Sequence, residues 1–286
     1  TTALVIASIV YRNWSEFETF SWRLKPMPLI GTALALVTAF GLNVLTWVLI
    51  SRAFGSHIGI WKDLEIYSFS TIVRRLPGAV WQIVSRTYLY RREEAALAVP
   101  LWGSFWEIVI QLLSGMLLTA LMLILSPPLR SEFPGGMWWL LLLIPAIWSV
   151  LRPQDIVSLG RMISPRVKAQ PSLTTQSTCL WLGLYLVSWV LGGVILFFLV
   201  SALASQSWTL LPICVGLVAA SGVLAILASP IPGGLGIREI SLILLLGLYV
   251  PSPIAVAGAI LLRLWLLVGE ALIAFVVFLA ARRKAW

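Results

Sequence analysis

The chain has 286 residues, 60% of them hydrophobic and 11% charged, with a formal net charge of +9 and a mean hydropathy of +0.98. Soluble domains carry roughly a quarter of their residues as charge, so this composition excludes an ordinary water-soluble enzyme and makes lipid the solvent for most of the surface. It also excludes disorder and a disulfide scaffold, because the two cysteines, Cys179 and Cys214, lie inside apolar runs and read as small hydrophobes.

Crossing the hydrocarbon layer takes about 20 largely apolar residues. Thr1 to Val10 is apolar but shorter than that, and is expected to be the end of a first spanning helix that has been cut or processed. Spans are then expected at Pro28 to Ile50, Ala95 to Leu125, Met137 to Leu151, Leu173 to Ala204, Leu210 to Ser229 and Ile254 to Ala281. Two further apolar segments are interrupted. Ile58 to Tyr90 contains Arg74-Arg75-Leu76-Pro77-Gly78, and Pro230 to Val250 opens with Pro230-Ile231-Pro232-Gly233-Gly234-Leu235-Gly236. Unpaired backbone cannot face lipid, so a broken segment at membrane depth is shielded by protein or lines a wet cavity. Function is expected at these two places.

The expected fold is therefore all-α: a polytopic helical membrane protein with about seven spanning helices, a re-entrant hairpin and a broken half-helix, forming a single integral membrane domain over residues 1–286. The breaks at Pro77 and Pro232 stand about half the chain apart, each closely followed by Arg, which is the outline left by internal repeats. The corresponding halves would be 28–151 and 173–281.

Cytoplasmic loops carry the excess of Lys and Arg. Arg282, Arg283 and Lys284, with Arg152, Arg161, Arg166 and Lys168, mark the inside, which makes the C-terminus cytoplasmic in an inner or plasma membrane. If Ile58 to Tyr90 dips in and returns, Arg52, Lys62, Arg74, Arg75, Arg86, Arg91 and Arg92 join that side, leaving Arg12, Arg23, Lys25 and Arg130 outside. If the segment spans instead, the asymmetry weakens and Arg74 and Arg75 sit mid-bilayer at several kcal/mol, so the re-entrant form is expected. The net charge then needs anionic headgroups as partner and no nucleic acid. Trp14, Trp22, Trp61, Trp138, Trp139 and Trp208 fall near span ends, where indoles favour the interface.

A helix from Ile237 to Val250 is about 21 Å long, too short to cross alone. Its first turn offers unpaired N–H groups and the positive dipole end, Gly233, Gly234 and Gly236 let an anion approach the backbone, and Arg238 adds a fork suited to phosphate. A lipid phosphate is the expected ligand; a Gly-rich turn with Arg238 and Glu239 snorkelling to the surface is the structural alternative. Arg263 and Glu270 are two turns apart on one stripe of the last span. Glu107, with Gln111 one turn on, is a natural partner for a buried Arg. Arg238 with Glu270, or Arg263 with Glu107, are the pairings that present themselves. In the hairpin, Arg75 and Arg86 flank the Pro77-Gly78 break and would recruit phosphate from the inside, unless Asp63 and Glu65 neutralise them or the hairpin simply lies among headgroups.

Enzyme signatures are thin. His57 is the only histidine, no His, Cys or carboxylate set has metal-ligand spacing, and there is neither a nucleotide-binding loop nor a dinucleotide fingerprint. No cofactor or metal is expected.

Arg75-Leu76-Pro77-Gly78-Ala79-Val80-Trp81-Gln82 with Arg86 and Arg91-Arg92, Glu107 in the next span, and Pro232-Gly233-Gly234-Leu235-Gly236-Ile237-Arg238-Glu239 resemble the transmembrane-domain family of lysylphosphatidylglycerol synthases, whose stand-alone members are called flippase-like integral membrane proteins. The resemblance runs through the chain in span order, and the second motif is the more specific. It implies binding and transbilayer movement of an anionic or aminoacyl-modified phospholipid, without synthase activity, because that belongs to a separate soluble domain. Some stand-alone relatives are linked to glycosylation on polyprenyl-phosphate lipids. A membrane glycosyl- or headgroup-transferase, with Glu107, Glu239 or Glu270 as base, is therefore the alternative, and a non-transporting scaffold for a lipid-modifying enzyme is a third. A homodimer or a lipid-modifying enzyme would be the protein partner.

Overall fold

The structure is a computed structural model that describes residues 7–8, 11, 14–20, 25–74, 80–128, 141, 143–163, 173–228 and 236–284. The described residues are helical throughout, with no strand. In chain order the helices are α1 (Trp14–Thr19), α2 (Met27–Ala53), α3 (Ile60–Val73), α4 (Trp81–Arg92), α5 (Ala98–Leu125), α6 (Leu143–Leu151), α7 (Pro153–Ile163), α8 (Thr175–Leu203), α9 (Leu210–Ala228), α10 (Ile237–Leu246) and α11 (Ser252–Lys284). Five of them, α2, α5, α8, α9 and α11, are long and apolar enough to cross a membrane. Their side chains are apolar around the whole circumference, the pattern of a helix that faces lipid on one side and protein on the other. Met137 to Leu151 lies partly outside the described residues, and α6 is its nine-residue described helix.

The chain divides into two compact units, each assembled from separated stretches: Thr1–Ala39, Gly115–Trp138 and Ser188–Gly269 in the first, Phe40–Ser114, Trp139–Val187 and Glu270–Trp286 in the second.

In the first unit the core forms where α8, α9, α10 and the start of α11 meet, around Leu196, Val200, Cys214, Leu217, Ala219, Leu246 and Ala259. Without a hydrophobic drive between helices in lipid, close backbone approach is what holds spans together, and small residues permit it. A Cβ on Gly193 would collide with the backbone of Val215, and one on Gly222 with the indole of Trp189. The half-helix α10 follows. It starts on Gly236, whose φ of 96° is open to glycine and strained for other residues, and it ends at Leu246, four residues before the Val250 expected from sequence. The N–H of Gly247 closes on the carbonyl of Ile243 at 2.9 Å, and those of Tyr249 and Val250 on that of Leu246. The Tyr249 hydroxyl then bonds that of Ser126.

In the second unit α3 and α4 form an antiparallel hairpin, with Ser70 opposite Arg86 and Asp63 opposite Tyr90. The hairpin is bounded by two matching stops. At the end of α2 the N–H of Ser56 reaches the carbonyl of Ser51 and that of Gly55 reaches Arg52, a Schellman turn on Gly55 at φ 88°. At the end of α4 the same pair of bonds runs from Ala95 to Tyr90 and from Glu94 to Arg91. There the left-handed position is Glu94 at φ 56°, which costs about 1 kcal/mol relative to glycine.

Candidate functional site

Among the described residues, each unit holds an arginine–glutamate ion pair. In the second unit Arg86, on α4, is 0% exposed. Its guanidinium donates to both carboxylate oxygens of Glu107 on α5, the longer bond being 3.4 Å from Nη2 to Oε1. Nε donates to Ser70 Oγ at 3.1 Å and Nη1 to Ser104 Oγ at 3.5 Å. Its Cζ stands 3.7 Å from the ring centroid of Trp47, with Tyr67 at 5.1 Å. Glu107 Oε1 also accepts from the Tyr185 hydroxyl of α8 at 3.0 Å. Side chains of α2, α3 and α5 thus converge on one planar cation of α4 whose nitrogens all have acceptors, the arrangement that makes a buried charge tolerable.

Below that seat, Trp47 Nε1 donates to the Tyr90 hydroxyl at 2.8 Å, and Tyr90 donates to Asp63 Oδ1. Burial, followed by the neighbouring Asp63 charge, pushes the Tyr90 phenol well up from its ordinary value. Lys62 bonds Glu65 and Glu93 at 3.1 and 3.2 Å, and the hydrogen bond to Glu65 leads the effects that raise its ammonium above the ordinary lysine value.

In the first unit Glu239, in the first turn of α10, is 7% exposed. Its Oε1 accepts from Arg263 Nη1 of α11, while its Oε2 has no hydrogen-bond partner among the described residues. The Arg263 side chain is 40% exposed. Arg238, next to Glu239, is half-buried.

One pairing read from sequence, Arg263 with Glu107, is replaced. Arg263 pairs with Glu239 instead of Glu107, because α10 and α11 are consecutive helices joined by a short turn that brings their flanks together. Glu107 takes Arg86, because the hairpin packs against α5. Among the described residues Asp63 faces Arg52 at 3.7 Å and Glu65 takes Lys62. Arg86, expected to receive a phosphate, is enclosed by protein and committed to Glu107. Glu270, half-buried on α11, acts through space on the Arg74 guanidinium. Arg75, Pro77, Gly78, Pro232, Gly233 and Gly234 lie outside the described residues.

The seat's other members, Trp47, Tyr67, Tyr90 and Tyr185, are missing from the sequence-derived site. Of these only Tyr185 stands well inside an expected span, and its phenol was the one signal available. Among the described residues no group of His, Cys, Asp and Glu is arranged to hold a metal ion. The chain matches no protein-family model and no curated protein sequence.

Proposed function

We propose that the chain binds an anionic or aminoacyl-modified phospholipid and moves its headgroup across the bilayer, with the Arg263–Glu239 pair as the headgroup contact. The observation that carries this reading is the incomplete pairing of Glu239. Arg263 lies about 16 Å along α11 from Ser252, and Glu239 about 10 Å along α10 from Leu246, at 1.5 Å per residue. With the α10–α11 turn at the edge of a hydrocarbon layer about 30 Å thick, both would lie at membrane depth. Charges at such depth are costly and usually face a partner or a wet cavity, yet here one carboxylate oxygen is unpaired and the guanidinium is half open.

Arg263 and Arg238 would hold the phosphate together with the first-turn N–H groups of α10, Glu239 would face a cationic part of the headgroup, and the acyl chains would stay in lipid. The Arg86 seat would fix the α3–α4 hairpin as a re-entrant element. With seven spans and a re-entrant hairpin, the Lys and Arg asymmetry would put the C-terminus inside, in an inner or plasma membrane. The motif resemblance to the lysylphosphatidylglycerol synthase transmembrane family points the same way.

Reconstitution into liposomes carrying fluorescent phospholipids tests the reading. Wild type is expected to move them, and Arg263→Met and Arg238→Ala to abolish the movement. Movement that persists in both variants refutes the site, and consumption of a sugar donor without lipid movement favours the transferase. Single cysteines at Ser56 and Glu94 are expected to label from the same side of the membrane; labelling from opposite sides rules out the re-entrant hairpin.

A further inference from the structure

Asp63 lies in the first turn of α3 and is 0% exposed. Its Oδ1 is served by the Tyr90 hydroxyl, whereas its Oδ2 has no hydrogen-bond partner among the described residues, and the buried Ser56 Oγ has none either. The cation that faces it, Arg52 at the end of α2, stands 3.7 Å from Oδ2, outside hydrogen-bond range. Arg52 donates instead to the backbone carbonyls of Ser56, at 3.1 Å, and Ile58, and its side chain is 39% exposed and so partly screened. Lys62, on the same turn, is drawn away to Glu65 and Glu93. On α4 the facing group is Tyr90, and beyond Trp47 the charge of Arg86 is spent on Glu107. Tyr90, the charge of Arg52 and Ser51 favour the charged carboxylate. They are outweighed by burial, which pushes the Asp63 carboxyl above its ordinary value.

The geometry points to Asp63 as a proton-binding site at the base of the hairpin, independent of which lipid the chain handles. An ionised carboxylate here bears a desolvation cost that the Tyr90 and Ser51 hydroxyls and the Arg52 guanidinium 3.7 Å away do not offset, whereas the neutral acid does not bear it. Uptake of the proton leaves Arg52 without the opposite charge that faces it. Arg52 holds the carbonyls of the connection between α2 and α3, so this connection is where protonation acts on the fold. The sign is fixed by linkage: with the folded value raised above the unfolded one, the native state binds more protons between the two. Stability therefore falls as pH rises through the folded value and increases on acidification.

The test uses the full chain in lipid nanodiscs. Infrared difference spectra recorded over a stepwise acidification should show a protonated-carboxyl C=O band, appearing above the pH at which exposed carboxylates titrate, that is lost in Asp63→Asn and kept in the exposed control Glu16→Gln. The wild-type unfolding temperature should rise by about 3 °C over the same acidification, and Asp63→Asn should remove that dependence. Tyr90→Phe, which deletes the donor to the carboxylate, should move the wild-type transition to higher pH, and it decides the matter if Asp63→Asn does not fold. A band that survives in Asp63→Asn, or a transition unmoved by Tyr90→Phe, overturns the assignment. Neither readout involves lipid movement, so failure here leaves the headgroup site standing, and failure there leaves the proton site standing.

Discussion

Arg86 and Arg263 are both arginines met by a glutamate inside apolar helices, and they are held in opposite ways. Arg86 is enclosed, gripped by both oxygens of Glu107, by two serines and by the face of Trp47. Arg263 is half open, and its partner keeps one oxygen unengaged. A fully satisfied pair has no capacity left for a ligand and serves to fix helices in one arrangement. A half-satisfied pair holds its elements less firmly and has donors and an acceptor to offer. In a chain with 20 basic and 11 acidic residues, completeness of pairing is what distinguishes these two pairs.

The sharpest way to break this contrast is Glu107→Ala, which leaves Arg86 buried and uncompensated. A loss of about 3–5 kcal/mol is expected, seen as loss of monodisperse folded protein. Replacing both members, with Arg86→Met and Glu107→Leu, should restore much of it, because an apolar pair of similar volume avoids the desolvation cost. Next, Trp47→Phe weakens the stacked cation and removes the donor to Tyr90, for a loss of about 2 kcal/mol in thermal or denaturant unfolding. Gly236→Ala forces a side chain into the left-handed cap of α10 and should cost about 1 kcal/mol, with a larger relative effect on lipid movement than on stability. Smallest in stability is Arg263→Met, at under about 1 kcal/mol because the side chain is partly exposed and screened, while lipid movement is lost. If Arg263→Met unfolds the protein as Glu107→Ala does, the distinction between the two pairs fails.

The long spans were legible because an apolar run of sufficient length has few other fates, and the helix start at Ile237 was legible from the glycines before it. The Schellman stop at Gly55 follows a rule that sequence carries, whereas the one at Glu94 does not, since a glutamate in the left-handed region is chosen by the surrounding fold. Glu107 and Arg263 could be recognised as costly charges, but their partners could not. Spacing along one helix ranks faces, whereas partner choice depends on which neighbouring helix packs there. The seat around Arg86 was hidden for a related reason. Trp47, Tyr67 and Tyr185 lie far apart in the chain, and each alone reads as one more apolar or interfacial residue.

The separation of partners along the chain bears on how such a protein is made. Arg86 and Glu107 are 21 residues apart, and Glu239 and Arg263 are 24 apart. Each charge can therefore be neutralised by the next helix to leave the ribosome, before distant segments exist to receive it. Tyr185, 78 residues beyond Glu107, can only join a pair already closed. For these two pairs, neither arginine has to wait in lipid for a partner synthesised much later.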